Sequence, residues 1–308
     1  IIYILFIIFR IIGYKNSSNL GFIIGKIFGP IFRSKSIIVE NLKKANISFK
    51  KNNYEIAKNV LGNYGRIFAE YPHLKNFRNN NLNKFITIDG KENLEKIKRD
   101  NKRAVFVSGH FNNFELMAMQ IEKAGIDLAA IYRPLNNMFL NEIMEKIRKE
   151  QICKKQIKKG RSGTRQLIEC LKKGSSIALM IDQRVREGSK VKFFGNLATT
   201  TTIPAQLIKK YKCELVPIYI ERYNNYYFKM HVSKPISVGS KKSVEDISSF
   251  LHVSSISSST PIYRGGGRDA MDPGPGNVCD NWKPAGRLWA SVFTGKSFKK
   301  WRRVECLA

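Results

Sequence analysis

The chain is poor in the residues that build metal centres and disulfide frameworks. Its five cysteines (Cys153, Cys170, Cys213, Cys279 and Cys306) form no C-x-x-C pair and show no metal-ligand spacing. With only four histidines beside them, a zinc site is not expected. An odd, scattered set of thiols fits the reducing, cytosolic side of a cell. Acidic residues are scarce: 24 against 54 basic ones, a formal charge of +30. Such an excess faces nucleic acid, anionic lipid headgroups or an acidic protein, although lysines spread along the whole chain equally fit a coding bias. No helix-turn-helix, RNA-binding or zinc-finger pattern is present, so nucleic acid is not the expected partner. Long apolar runs are missing too. Residues 1–9 are apolar, Arg10 interrupts and two isoleucines follow. Twelve helical residues reach about 18 Å, short of the roughly 30 Å of a bilayer core.

What the chain does have is centred on residues 104–115, AVFVSGHFNNFE. Ala104 to Val107 read as a short buried strand. Ser108-Gly109 breaks the run, His110 follows, and Asn112 or Asn113 is placed to cap a helix through Glu115 and Met119. An imidazole therefore stands where a strand hands over to a helix, the edge at which open α/β sheets gather ligands. Five residues on a regular helix leave two side chains roughly 140° apart. His110 and Glu115 thus meet only if His110 lies in the loop. A carboxylate on one ring nitrogen fixes the tautomer and prepares the other to take a proton, as in a hydroxyl-activating site.

H-x-x-x-x-[D/E] after a strand, here GHFNNFE with Glu115, resembles the first signature of the glycerolipid acyltransferases, in the branch that acylates lipid A precursors. Further blocks match in order: IVENL at 38–42, NYGRIFAEYPHL at 63–74, YRPLNN at 132–137, GRSG at 160–163, MIDQR at 180–184, FFG at 193–195 and TTTIPAQL at 200–207. The resemblance covers roughly residues 20–240. It implies an enzyme that moves a fatty acyl chain from an acyl carrier protein thioester to a hydroxyl of a phosphorylated glucosamine lipid. No other cofactor is implied. His110 would be the general base and Glu115 its orienting carboxylate. No Ser or Cys nucleophile is required, because a thioester is already activated.

The same resemblance assigns the acceptor to the YRPLNN block, with Arg133 and Asn136 as binding residues; a planar guanidinium suits bidentate phosphate contact. Asp182, with Gln183 beside it, ends a strand at the same edge, where it would pair with Arg133 or bind a sugar hydroxyl. Arg161 and Arg165 open a helix, facing phosphate, the acidic carrier protein or only solvent. Phe193 and Phe194 fit an acyl groove or core packing equally. Pro204 suits a first helical position, and His231 alternates within a strand as a non-catalytic residue. A glycerophospholipid acyltransferase is the nearest enzymatic alternative, with Glu rather than Asp at 115 and the DQR and FFG blocks against it. A basic, non-catalytic binder of membrane or nucleic acid is the alternative of another class.

Three parts are expected. Residues 1–32, beginning at Ile1 and read as truncated, would be a membrane anchor or interfacial segment, with a signal-peptide core or a buried helix as the other readings. Residues 33–250 would form an α/β acyltransferase domain, a mostly parallel sheet flanked by helices. Residues 251–308 hold all three tryptophans and seven of the 22 glycines, a break in composition that reads as an artefact or a disordered extension. The site would face the cytoplasmic side of an anionic inner membrane.

Overall fold

In the computed structural model, the described residues are 2–32, 34–44, 52–135, 138–183, 185, 188–193, 196–236 and 243–248. The expected tail from 251, and Asn136, lie outside them.

A seven-stranded sheet forms the centre. In chain order its strands are β1 (Ile86–Asp89), β2 (Ala104–Ser108), β3 (Leu128–Tyr132), β4 (Lys155–Lys158), β5 (Ser176–Met180), β8 (Glu214–Tyr223) and β9 (Tyr227–Val232). They lie side by side as β1-β9-β8-β2-β5-β3-β4. The five from β8 to β4 run parallel, as the alternation of strands and helices predicts. The hairpin between β8 and β9 reverses the chain, and β1 then pairs parallel to β9. Asn224 and Asn225 turn that hairpin with positive φ, a conformation asparagine tolerates well. A separate two-stranded ribbon, β6 (Ser189–Phe193) with β7 (Asn196–Thr200), carries part of the FFG block; the rest of that block, Phe194-Gly195, lies outside the described residues.

Why β2 is central follows from its composition. All five residues are buried. Alternation sends Ala104 and Phe106 to one face and Val105 and Val107 to the other. The Phe106 face packs under α5 (Lys91–Arg99), through Leu94 and Ile97, and under α6 (Glu115–Lys123), through Leu116, Met117 and Met119. Helices α4 (Leu74–Arg78) and α7 (Met138–Ile147) join this core through Phe77 and Met144. The Val105 face packs under α8 (Arg161–Lys172) and α9 (Ile203–Tyr211), whose Leu167, Leu171, Leu207 and Ile208 fill it.

The N-terminal segment is helical, as expected. Helix α1 (Ile2–Phe32) breaks at Gly13, whose φ is 78°. Its second half lies against α3 (Asn53–Glu70), which is separated from it by α2 (Lys35–Lys44). The two backbones approach so closely that a Cβ on Gly25 would sit 2.5 Å from the Leu61 carbonyl oxygen, and one on Gly65 would overlap the carbonyl of Gly21. Among the described residues no helix is long and apolar enough to cross a membrane. The outward side of α1 is nevertheless apolar: Ile4, Ile7 and Ile11, then Ile23, Ile27 and Ile31, recur at helical spacing and are exposed.

Candidate active site

Strands β2, β5 and β3 end level with one another: Ser108 pairs with Met180, and Ala130 with Ala178. The chain leaves β2 through Gly109 to His110, leaves β5 through Ile181 to Asp182, and leaves β3 at Tyr132 to Arg133. The three candidates therefore share one sheet edge, the C-terminal edge of parallel strands. Adjacent strands are about 4.8 Å apart, which puts the strand leading to Arg133 roughly 10 Å from that leading to His110.

The carboxylate on His110 is Asp182, not Glu115. Asp182 Oδ1 lies 2.8 Å from His110 Nδ1, and Oδ2 accepts from the His110 backbone N–H at 2.9 Å. One carboxylate thus fixes both the ring and the turn that bears it. With Asp182 ionised, Nδ1 carries the proton and Nε2 is the basic nitrogen. The Phe114 ring meets the imidazole edge-on at 4.7 Å. Burial works against the charged imidazole, but the Asp182 anion and its hydrogen bond outweigh burial, helped through space by Glu115, and raise His110 above the ordinary histidine range. Burial also disfavours the Asp182 anion; His110 and the two hydrogen bonds more than compensate, so Asp182 is held below the usual carboxylate range. Asp182, expected to bind the acceptor or pair with Arg133, is here hydrogen-bonded to His110.

Glu115 opens α6 and turns the other way. Its Oε1 accepts from Arg148 Nε at 2.8 Å and Nη2 at 2.6 Å, and from the Tyr71 hydroxyl. Arg148 also donates to the Tyr71 oxygen at 3.1 Å. The cause is helix phase: α6 begins only at Glu115, so its side chain points beneath the turn rather than back along it. Burial lowers the Arg148 guanidinium's hold on its proton, but Glu115 more than reverses this. Burial, then Glu115, pushes the Tyr71 phenol well up, so it stays a donor. Through space Glu115 raises His110, and its ion-pair partner Arg148 opposes it.

The asparagines of the turn are not helix caps. Asn112 sits at φ 44° and donates from Nδ2 to the Ile220 carbonyl at 3.1 Å. Asn113 donates to Glu70 Oε2 at 2.9 Å. Helix α6 starts without a side-chain cap.

Of the other candidates, Arg133 is exposed at the sheet edge, Gln183 is half-buried beside Asp182, and Arg161 is exposed at the first position of α8. His231 bridges Asp89 at 3.0 Å and Glu221 at 2.9 Å and stacks on Tyr219. Among the described residues no three His, Cys, Asp or Glu side chains cluster as metal ligands. Sequence reasoning missed Tyr71 and Arg148. Tyr71 lies within the NYGRIFAEYPHL block, which was a usable signal; Arg148 lies in the charged run KIRKEQ, where nothing singles it out.

No curated protein matches the chain. Among solved structures, it is similar to the crystal structure of the 1-acyl-sn-glycerophosphate (LPA) acyltransferase, PlsC, from Thermotoga maritima. That likeness has 13% identity and a TM-score of 0.38, over 77% of this chain and 93% of that one. The model of one family, described as bacterial lipid A biosynthesis acyltransferase, matches residues 1–253. A match over that much of the chain, with its ordered motifs, makes the protein an acyltransferase and a member of the bacterial lipid A biosynthesis acyltransferase family.

Proposed function

We propose that the protein transfers a fatty acyl chain from an acyl carrier protein thioester to a hydroxyl of a phosphorylated glucosamine lipid, a lipid A precursor, with His110 as general base. The observation that carries this reading is the 2.8 Å contact of His110 Nδ1 with Asp182 at the C-terminal sheet edge. With Nδ1 protonated toward Asp182, Nε2 is the nitrogen assigned to take the proton. The acceptor hydroxyl gives its proton to Nε2 while its oxygen attacks the thioester carbonyl. The tetrahedral oxyanion then collapses, the carbon–sulfur bond breaks, and the departing thiolate takes the proton back from the imidazolium. General-base assistance of this kind is worth about 10²–10⁴-fold. The remainder comes from positioning and from donors to the oxyanion.

Arg133, exposed two strands from His110, supports phosphate recognition on the acceptor. Exposed Arg161, with Lys158 and Lys159 just before it, gives the acidic carrier protein a cationic face to meet. The apolar stripe of α1, together with Met138 (76% exposed) and Phe139 (81%) just beyond Arg133, supports seating on the cytoplasmic face of a membrane, with the acceptor entering sideways.

The test is mass spectrometry of lipid A from a host lacking its own enzyme and complemented with this chain. One added acyl chain is expected with the wild type and none with His110→Ala. Unchanged lipid A, with acylated glycerophospholipid appearing instead, would assign the chain to the other substrate class.

A further inference from the structure

Directly under the catalytic turn lies a second carboxylate that the chemistry above does not use. Glu70, the last residue of α3, is fully buried. It accepts from Ser18 Oγ of α1 at 2.7 Å, from Arg222 Nη1 and Nη2 of β8 at 2.6 and 3.0 Å, and from Asn113 Nδ2 at 2.9 Å. The next residue, Tyr71, holds Glu115. The corner between α3 and Pro72 therefore grips the turn at two points, three and five residues beyond His110.

Packing alone does not call for this group. An apolar side chain would fill the space without the cost of burying an ion. What the carboxylate adds is direction, since it joins three elements at fixed angles. The turn needs such anchoring. Asn112 sits at φ 44°, a left-handed conformation that asparagine tolerates but that is only one of its accessible states, so neighbours must select it. Two further restraints, Asp182 before it and Ile220 beside it, come from the sheet, and Tyr71 and Arg148 hold Glu115 after it. Glu70 is the restraint that also reaches α1. Arg66, one turn earlier on α3, reinforces that reach by donating to Ser18 at 3.1 Å and Asn19 at 3.0 Å.

We propose that Glu70 is a positioning residue that makes the geometry of the His110 turn depend on the seating of helix α1, through the relay Ser18–Glu70–Asn113. This rests on the reading of His110 as the general base. The segment bearing the apolar stripe and the segment bearing the base are then one mechanical unit. Displacing α1 removes a restraint on the turn, and turnover falls without any loss of substrate contact.

The experiment uses the full chain in detergent micelles, an acyl carrier protein thioester and a phosphorylated glucosamine lipid, with unfolding midpoints measured alongside. Ser18→Ala removes the α1 hydroxyl that joins Glu70 and Arg66; the midpoint should fall modestly, and kcat should fall about tenfold with KM for both substrates nearly unchanged. Asn113→Asp sets two carboxylates against each other and should cost about 100-fold. Ser18→Thr keeps a hydroxyl donor toward Glu70. It should hold kcat within about threefold of wild type where Ser18→Ala does not, a rescue that a merely structural role would not produce. Wild-type kcat in Ser18→Ala would overturn the inference, whether or not Asn113→Asp folds. So would a Ser18→Thr variant that folds but is as impaired as Ser18→Ala. Absence of transfer by the wild type would overturn both this inference and the reading of the active site. Wild-type transfer abolished by His110→Ala, but indifferent to Ser18 and Asn113, would overturn this inference alone.

Discussion

At the scale of single residues, the proposal that His110, paired with Asp182, is the base makes a prediction about pH. The base must be neutral to accept a proton. Because Asp182 raises His110, activity should climb with pH through a value above the ~6.5 of an ordinary histidine. Asp182→Asn removes the anion and leaves the burial, which acts in the opposite direction. The acid limb of the pH–rate profile should therefore move to lower pH while kcat falls by about 10²-fold or more. A profile whose acid limb stays in place would mean that Asp182 does not face the titrating group. The Glu115–Arg148 pair makes a different prediction. Its side chains are only 7% and 11% exposed, so removing one partner strands a buried charge. Arg148→Ala should cost about 3–5 kcal/mol in urea unfolding, whereas the neutral pair Glu115→Gln with Arg148→Met should cost clearly less. Equal losses would show that the ion pair is not what Arg148 contributes.

At the scale of elements, the approach of α1 to α3 depends on glycine at the crossing. Gly65→Ala drives a methyl into the Gly21 carbonyl and should cost about 1–3 kcal/mol, read as a lower unfolding midpoint and faster proteolysis of α1. An unchanged midpoint would mean that the two helices separate freely. Legibility in the sequence follows the same local physics. Strands β2 and β5 could be read because AVFVS and SIALM are short apolar runs, buried mostly on both faces. Edge strand β4, KQIK, could not, since Ile157 is its only buried residue. Helix α6 was placed correctly, but its asparagines read as caps, because a sequence does not show that Ile220 and Glu70 claim their amides. The same limit hid the orienting carboxylate. Glu115 stands five residues from His110 and invites the pairing. Asp182 stands 72 residues away and meets it only because β2 and β5 are neighbours. Type and edge were legible from periodicity; the partner depended on strand order.

For the whole molecule, the charge of +30 and the outward isoleucines of α1 make one proposal about surroundings. Binding to vesicles with anionic lipid should weaken as salt rises, yet leave an apolar remainder. The triple variant Ile7→Lys, Ile11→Lys, Ile27→Lys should lower that remainder at least about tenfold, since each buried isoleucine is worth roughly 1.5–3 kcal/mol. Binding that vanishes entirely with salt would reduce the attachment to charge alone. The central matter is whether this sheet edge moves an acyl group by base catalysis. The most direct measurement is the steady-state rate of transfer from an acyl carrier protein thioester to a phosphorylated glucosamine lipid, wild type against His110→Ala. The expected result is acylated lipid with the wild type and a rate at least about 10²-fold lower for a variant that unfolds at the same midpoint. Near-wild-type turnover in His110→Ala would contradict the assignment of His110 as the base.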